Sequence, residues 1–330
     1  MTDAAKHPLA DYLRVPMPYQ QHEYAERFGL APPPDIRVHP SGDVAFGVGP
    51  CMLTHQSVRS FVECLSYLRD DTLGVFSAPL DSKHPLARWL AVSRGRPCVD
   101  TGVGASFLVA EFNYCLYIVR EHSTPPRQWL RRLRLWDQFP GAFLELRLAA
   151  AFLVRGLSVK YVSESSNASK PEFDVQLRGI ETYFGVEAKF RVRTGTVSDD
   201  YPESGMKDLK RRVREGAEKK ISYSFIVVVE LSLPWSLDNG QIGPIDEKIF
   251  DDLFQEAVSQ EWWNPHCKAL VFLNSINADF LERELPSEGF PAWVTVRTVE
   301  SSGNDADLHL LLCEMVKGLK QSARIPQISW

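Results

Sequence analysis

Cysteine is sparse in this chain and badly spaced for either staples or zinc. The six residues, Cys51, Cys64, Cys98, Cys115, Cys267 and Cys313, lie far apart, with no CxxC pair and no Cys/His metal spacing. Most sit in apolar surroundings, such as Cys115 in FNYCLYIV and Cys313 in LHLLLCEM, which reads as reduced core thiols. No apolar run approaches the roughly 18 residues that cross a bilayer. The opening MTDAAKHPLADYLRVP carries no apolar stretch of the secretory kind. The expectation is a cytoplasmic protein without membrane contact. Positive charge is not in excess either: 37 Lys and Arg stand against 42 Asp and Glu, a formal net charge of −5. The chain as a whole therefore does not advertise nucleic-acid binding, although a net value says little about a local site. Walker A, GxGxxG and GxSxG patterns are missing, which argues against P-loop, dinucleotide and serine-hydrolase chemistry. The eight histidines are scattered, and His22, His55 and His266 have no HExxH-type neighbour.

What is present is a soluble globular composition, 44% hydrophobic and 24% charged over 330 residues, enough for one large or two ordinary domains. Ser123-Thr124-Pro125-Pro126 is the best boundary signal, giving an N-terminal α+β domain over 1–124 and a second domain over 125–330. The first half reads as an irregular arm over 1–35 with a helical turn or two at 19–28, then a hairpin over 35–48 around His39-Pro40-Ser41-Gly42. An amphipathic helix over 54–68 follows, with Val58, Phe61, Val62, Leu65 and Leu68 on one face. A short strand at 73–76, a helix over 85–92 and a long strand or strand pair over 106–119 complete it. This half contains no motif to which chemistry attaches.

The second half opens on a basic helix over 127–136, with Arg127, Arg131, Arg132 and Arg134 among Trp129, Leu130, Leu133, Leu135 and Trp136. A solvated face and a phosphate-contacting face are both open readings. The next helix, 141–155, is apolar nearly all round yet contains Glu145. A carboxylate there must be paired or ligate something, and Arg147 cannot be its partner along the helix because i and i+2 do not face each other. After a strand at 157–162 comes the stretch that organises this half, PEFDVQLRGIETYFGVEAKFRV from Pro171 to Val192. Period-2 patterning makes it two strands around a turn in which Gly179 is free to take positive φ. If Arg178 pairs with Tyr183, Asp174 falls opposite Glu187 on one face, with Lys189 two residues further along it. Two carboxylates meeting across a hairpin are costly unless a cation sits between them. A polar loop over 194–205 leads to a helix over 207–220 with Lys207, Lys210, Arg211, Arg212 and Arg214 outward. Between Lys189 and Lys220 the local balance is ten basic against six acidic residues. The continuous apolar run over 224–231 fits a strand buried on both faces. A helix over 246–262, strands over 269–274 and 293–298, and a closing helix over 308–319 end the chain.

The order of helix, three strands, helix and strand, with Glu145, Phe173-Asp174 and Glu187-Ala188-Lys189 placed in it, resembles the PD-(D/E)xK nuclease superfamily over residues 141–231. The resemblance implies an α/β restriction-endonuclease-like αβββαβ core, a central mixed sheet flanked by helices. One departure is visible: the family's Pro-Asp is Phe-Asp here, with Pro171 three residues upstream. The resemblance implies a metal-dependent nuclease hydrolysing phosphodiester bonds, DNA favoured over RNA, with defence against foreign DNA as a setting. It implies Mg²⁺, with Mn²⁺ able to substitute, held by Asp174 and Glu187 with the Ala188 carbonyl, and with Glu145 directly or through water. It gives Lys189 the attacking water or the developing charge. Gln176 becomes a positioning candidate. Arg191, with Arg131, Arg134, Lys207, Lys210, Arg211 and Arg214 on the flanking helices, would track phosphates. An inactive nuclease-like binding module, an RNA-directed nuclease and a protein-interaction role of the N-terminal half are the alternatives. A homodimer or an activating protein partner is compatible with each.

Overall fold

The computed structural model describes residues 13–15, 36–38, 44–48, 51–54, 81–87, 123–162, 170–190, 202–231, 247–274, 293–299 and 306–322, together with eight helical positions between 108 and 122. The chain divides into two compact units: Met1–Tyr117 with Phe280–Phe290 and Arg324–Trp330, and Ile118–Asp279 with Pro291–Ala323.

In the first unit, strands β1 (Leu13–Val15), β2 (Ile36–Val38), β3 (Val44–Val48) and β4 (Cys51–Thr54) form an antiparallel meander in that order. The expected hairpin is there, with Ile36 opposite Phe46 and Val38 opposite Val44. β1 pairs with β2, where the sequence reading has an irregular arm; three residues are too few to show a period. The expected elements at 19–28, 54–68 and 73–76 lie outside the described residues, and of the helix expected over 85–92 only 85–87 are described, as helix.

The stretch over 106–119 is corrected outright. Its described residues are helical, not extended. Leu108, Phe112, Cys115, Leu116 and Val119 are fully buried, and their spacing of four, three, one and three is that of one helix face. Its Phe-, Tyr- and Val-rich composition suits a strand, and that preference misleads there.

The second unit is α/β, a six-stranded mixed open sheet flanked by helices. In chain order its elements are α1 (Arg127–Arg132), α2 (Phe139–Val154), β5 (Ser158–Tyr161), β6 (Phe173–Gln176), β7 (Tyr183–Phe190), α3 (Pro202–Ala217), β8 (Phe225–Glu230), α4 (Glu247–Val258), β9 (Cys267–Asn274), β10 (Trp293–Thr298) and α5 (Ala306–Ser322). The strands lie in the order β10-β9-β8-β7-β6-β5. β7, β8 and β9 run parallel, and the other neighbours are antiparallel.

The basic helix is shorter than expected and gives way to turns at 133–138. Pro140 lies in the first turn of α2, where its missing N–H costs nothing. Leu135 and Trp136, beyond the end of α1, are exposed. α3, conversely, starts inside the expected polar loop, at Pro202.

β8 is buried along its whole length, as a central strand with helices on both faces should be. Phe225, Val227 and Val229 pack with Leu209, Val213 and Ala217 of α3 and Phe250, Leu253, Phe254 and Ala257 of α4. Gly216 is what lets α3 lie so close, since a Cβ there would press into Val227. The opposite face meets α2: Phe173 of β6 is edge-on to Phe152, and Glu230 pairs with Arg147 across 3.9 Å with both side chains buried. Strand alternation then dictates the rest. Phe173, Val175, Phe184, Val186 and Ala188 face α2, whereas Asp174, Gln176, Glu187 and Lys189 face the α3 side.

Candidate active site

Asp174, Glu187 and Lys189 share one face of the β6–β7 hairpin, but the register differs from expectation by two residues. Gln176 pairs with Tyr183, Asp174 with Gly185 and Phe173 with Val186. An even shift keeps every side chain on its face. The cause is in the loop over 177–182. Arg178 leaves the ladder so that its Nε can donate to the Gly156 carbonyl beyond the end of α2, at 2.8 Å. Gln176 Nε2 donates to the Ile180 carbonyl at 2.9 Å, and Gly179 takes φ +75°. Gln176 thus braces the turn. One step further along the register, Glu172 rather than Asp174 stands beside Glu187; its N–H donates to the Val186 carbonyl at 3.0 Å.

Glu187 is fully buried and lies between two ammonium groups. Lys219 Nζ donates to Oε2 at 2.7 Å and also to the Lys170 carbonyl at 3.2 Å. Lys189 Nζ stands 2.6 Å from Oε1, at ion-pair distance but out of hydrogen-bond alignment, so Oε1 has no hydrogen-bond partner. Burial pushes the Glu187 carboxyl up, Lys189 and Lys219 oppose the shift, and Glu172 adds to it. For Lys189, burial acts to lower the pKa, but the attraction of Glu187 and Glu172 outweighs it and the ammonium is raised above its ordinary value. Lys189 is therefore a charged donor at neutral pH.

Asp174 is half-buried and faces Lys160 across β5. Tyr223 donates its hydroxyl to Asp174 Oδ1 at 2.5 Å. Burial raises the Asp174 pKa, with the Tyr223 bond and the Lys160 charge pulling it back. The Tyr223 hydroxyl is itself pushed above its ordinary range by burial and by the carboxylate it serves.

Glu145 enters from α2, the opposite side of the sheet, and is held differently. Arg132 grips both oxygens, Nη1 to Oε2 at 2.9 Å and Nη2 to Oε1 at 2.7 Å, and Trp129 Nε1 donates to Oε2 at 2.7 Å. Burial raises this carboxyl, Glu172 pushes the same way, and Arg132 and Trp129 oppose. Arg132 also lies 3.7 Å from Glu172, which makes Glu172 the link between the two clusters. The exclusion of Arg147 as the Glu145 partner holds, since Arg147 serves Glu230.

The expected phosphate-tracking residues are placed unevenly. On α3, Lys210 pairs with Glu256 of α4, Arg211 with Asp208 and Glu215, and Arg214 with Glu218. That face is a ladder of mostly i,i+3 and i,i+4 ion pairs more than an open cationic strip. Lys207 and Arg131 are exposed and Arg134 is half-buried. Arg191 lies outside the described residues. Beside Glu172, a cleft of about 440 Å³ runs along edge strand β5, walled by Trp129, Tyr161, Lys160 and Gln128.

Sequence reasoning did not select Trp129, Arg132, Lys160, Glu172, Lys219 or Tyr223. Trp129 and Arg132 carry a usable signal, because i and i+3 share a helix face. Lys219 and Tyr223 sit in a joint between elements and carry none. Among the described residues, no three acidic, histidine or cysteine side chains gather closely enough to hold a metal as they stand. The carboxylates themselves are hard oxygen donors of the kind a divalent cation takes: Glu187 Oε1 is buried with the Lys189 ammonium 2.6 Å away as its neighbour, and Asp174 lies on the same face. No protein family, curated protein or solved structure matches the chain.

Proposed function

We propose that the second unit is a metal-dependent nuclease with a restriction-endonuclease-like core, acting on phosphodiester bonds of nucleic acid, DNA before RNA. One observation carries the reading. Asp174, Glu187 and Lys189 share a partly buried sheet face within the element order α2-β5-β6-β7-α3-β8, which is the order of the PD-(D/E)xK core.

Asp174 and Glu187, with the Ala188 carbonyl, are the groups that would hold Mg²⁺ or Mn²⁺. When bound, such a cation supplies Lewis acidity at a phosphoryl oxygen. Lys189 keeps its proton at Nζ and offers a donor to the water or to charge developing on the phosphate. Glu187 is fully buried, which strengthens its interactions with both lysines. Glu145, gripped by Arg132 and Trp129, acts as a pillar joining α1 to α2, and would reach a cation only by giving up that grip. The cleft along β5 gives room beside Glu172 for part of a nucleotide. Residues 1–124 would serve substrate recognition or assembly.

A second reading, a non-catalytic binding module on the same core, draws on one specific fact: two lysines already neutralise Glu187. The two readings separate in one assay. The full chain with Mg²⁺ is incubated with single- and double-stranded DNA and RNA, alongside Lys189→Ala. Cleavage by the wild type, reduced about 100-fold or more in the variant, supports the nuclease. Retention of nucleic acid without cleavage supports the binding module.

A further inference from the structure

We infer that the segment joining α3 to β8 belongs to the site. Lys219 and Tyr223 are positioning residues, each holding one oxygen of a site carboxylate so that the other, Glu187 Oε1 or Asp174 Oδ2, is presented to a hard divalent cation. The inference rests on the nuclease reading for the nature of the cation and adds two residues to its site.

The geometry is one-sided at both carboxylates. Lys219 Nζ is hydrogen-bonded to Glu187 Oε2 at 2.7 Å, while Oε1 has Lys189 near it but no hydrogen bond. Tyr223 donates to Asp174 Oδ1 at 2.5 Å, and no hydrogen bond from the described residues reaches Oδ2. Both donors come from one short stretch of chain, four positions apart. A carboxylate with one oxygen fixed has lost its freedom to rotate, and its second oxygen points in one direction without further ordering cost.

The segment is itself held. Asn264, in the turn before β9, donates its side-chain amide to the carbonyls of Lys219 and Ile221 at 2.5 and 2.8 Å. The Asn264 backbone N–H donates to the Ala217 carbonyl at 3.0 Å. Ile221 is buried in the core shared by α3, α4 and β8. Lys219 Nζ has a second anchor in the Lys170 carbonyl. Of the two lysines on Glu187, Lys219 is tethered, and Lys189 is the one whose contact a cation can replace.

The test is calorimetric titration of Mn²⁺ into the full chain and into Tyr223→Phe, Lys219→Met and Lys219→Arg, with the melting temperature of each recorded. Tyr223→Phe and Lys219→Met should bind Mn²⁺ about 10- to 100-fold more weakly, the usual effect of removing a ligand's hydrogen-bond partner. Lys219→Arg should recover most of the affinity. Tyr223→Phe keeps the ring and should melt close to wild type, so its loss would not reflect unfolding. Unchanged Mn²⁺ affinity in Tyr223→Phe and Lys219→Met would overturn the inference and leave the nuclease reading standing. Tighter binding in Lys219→Met would show an ammonium that competes with the cation, and would overturn the role given to Lys219. A wild-type chain that takes up no Mn²⁺ would overturn both the inference and the reading beneath it.

Discussion

Glu145 and Glu187 are equally buried and are held in opposite ways. Glu145 meets a guanidinium that grips both oxygens, plus an indole N–H. Glu187 meets two ammoniums, of which only one makes an aligned hydrogen bond. A guanidinium is a rigid fork matched to a carboxylate, whereas an ammonium is a compact point charge on a flexible stem. The first arrangement fixes a structure. The second neutralises a charge with two point-like donors, neither of which grips both oxygens. Within one unit, then, choice of cation separates a pillar from a candidate reactive centre.

Removing the fork should have the largest effect. Arg132→Ala leaves Glu145 buried without its ion partner, which should cost about 3 to 5 kcal/mol of unfolding free energy. Lys219→Ala leaves Lys189 on Glu187 and should cost less, about 1 to 3 kcal/mol. Urea denaturation of both variants measures the difference; equal losses would mean that the two carboxylates are not held differently.

A smaller effect is expected in the pH dependence of stability. The Glu187 carboxyl is raised in the folded chain, so it binds its proton more tightly there than when unfolded. Stability should therefore fall as pH rises from the ordinary Glu value of about 4.3 through the folded value. Glu187→Gln removes that group's share, and the melting temperature of the variant should depend less steeply on pH across the window. An unchanged slope would show that Glu187 does not titrate there.

The smallest effect concerns α3. Arg211 pairs with Asp208 and Glu215 at the surface, and exposed pairs of this kind are each worth about 0.5 kcal/mol or less. Arg211→Ala should barely move the denaturation midpoint. If Arg211 touches phosphate, the same variant would lower the salt dependence of nucleic-acid binding, which a filter or anisotropy assay at several salt concentrations would detect.

Much of the second unit was legible because its patterns are strong. The period-2 rows of β6 and β7, the unbroken apolar run of β8 and the amphipathic α3 each admit one element type. The faces of Asp174, Glu187 and Lys189 followed from the same alternation, which survives an even register shift. The register itself did not follow, since it depends on Arg178 reaching Gly156, a contact between residues 22 positions apart. The Glu145 partner was hidden for a similar reason: Arg132 lies 13 positions back, across a turn set by Pro140. Tyr223 and Lys219 reach their carboxylates from 49 and 32 positions away, without any local pattern to mark them. The helical positions between 108 and 122 were missed for a different reason: a composition rich in Phe, Tyr and Val suits a strand as well as a helix face.

A metal centre at these carboxylates is tested most simply by calorimetric Mg²⁺ titration of the full chain against the Asp174→Ala/Glu187→Ala double variant. Such a centre on the β6–β7 face should give a binding isotherm in the wild type that disappears in the variant, with both proteins folded by circular dichroism. Identical isotherms, or no binding to either protein, would contradict a metal centre on the β6–β7 face and with it the nuclease reading.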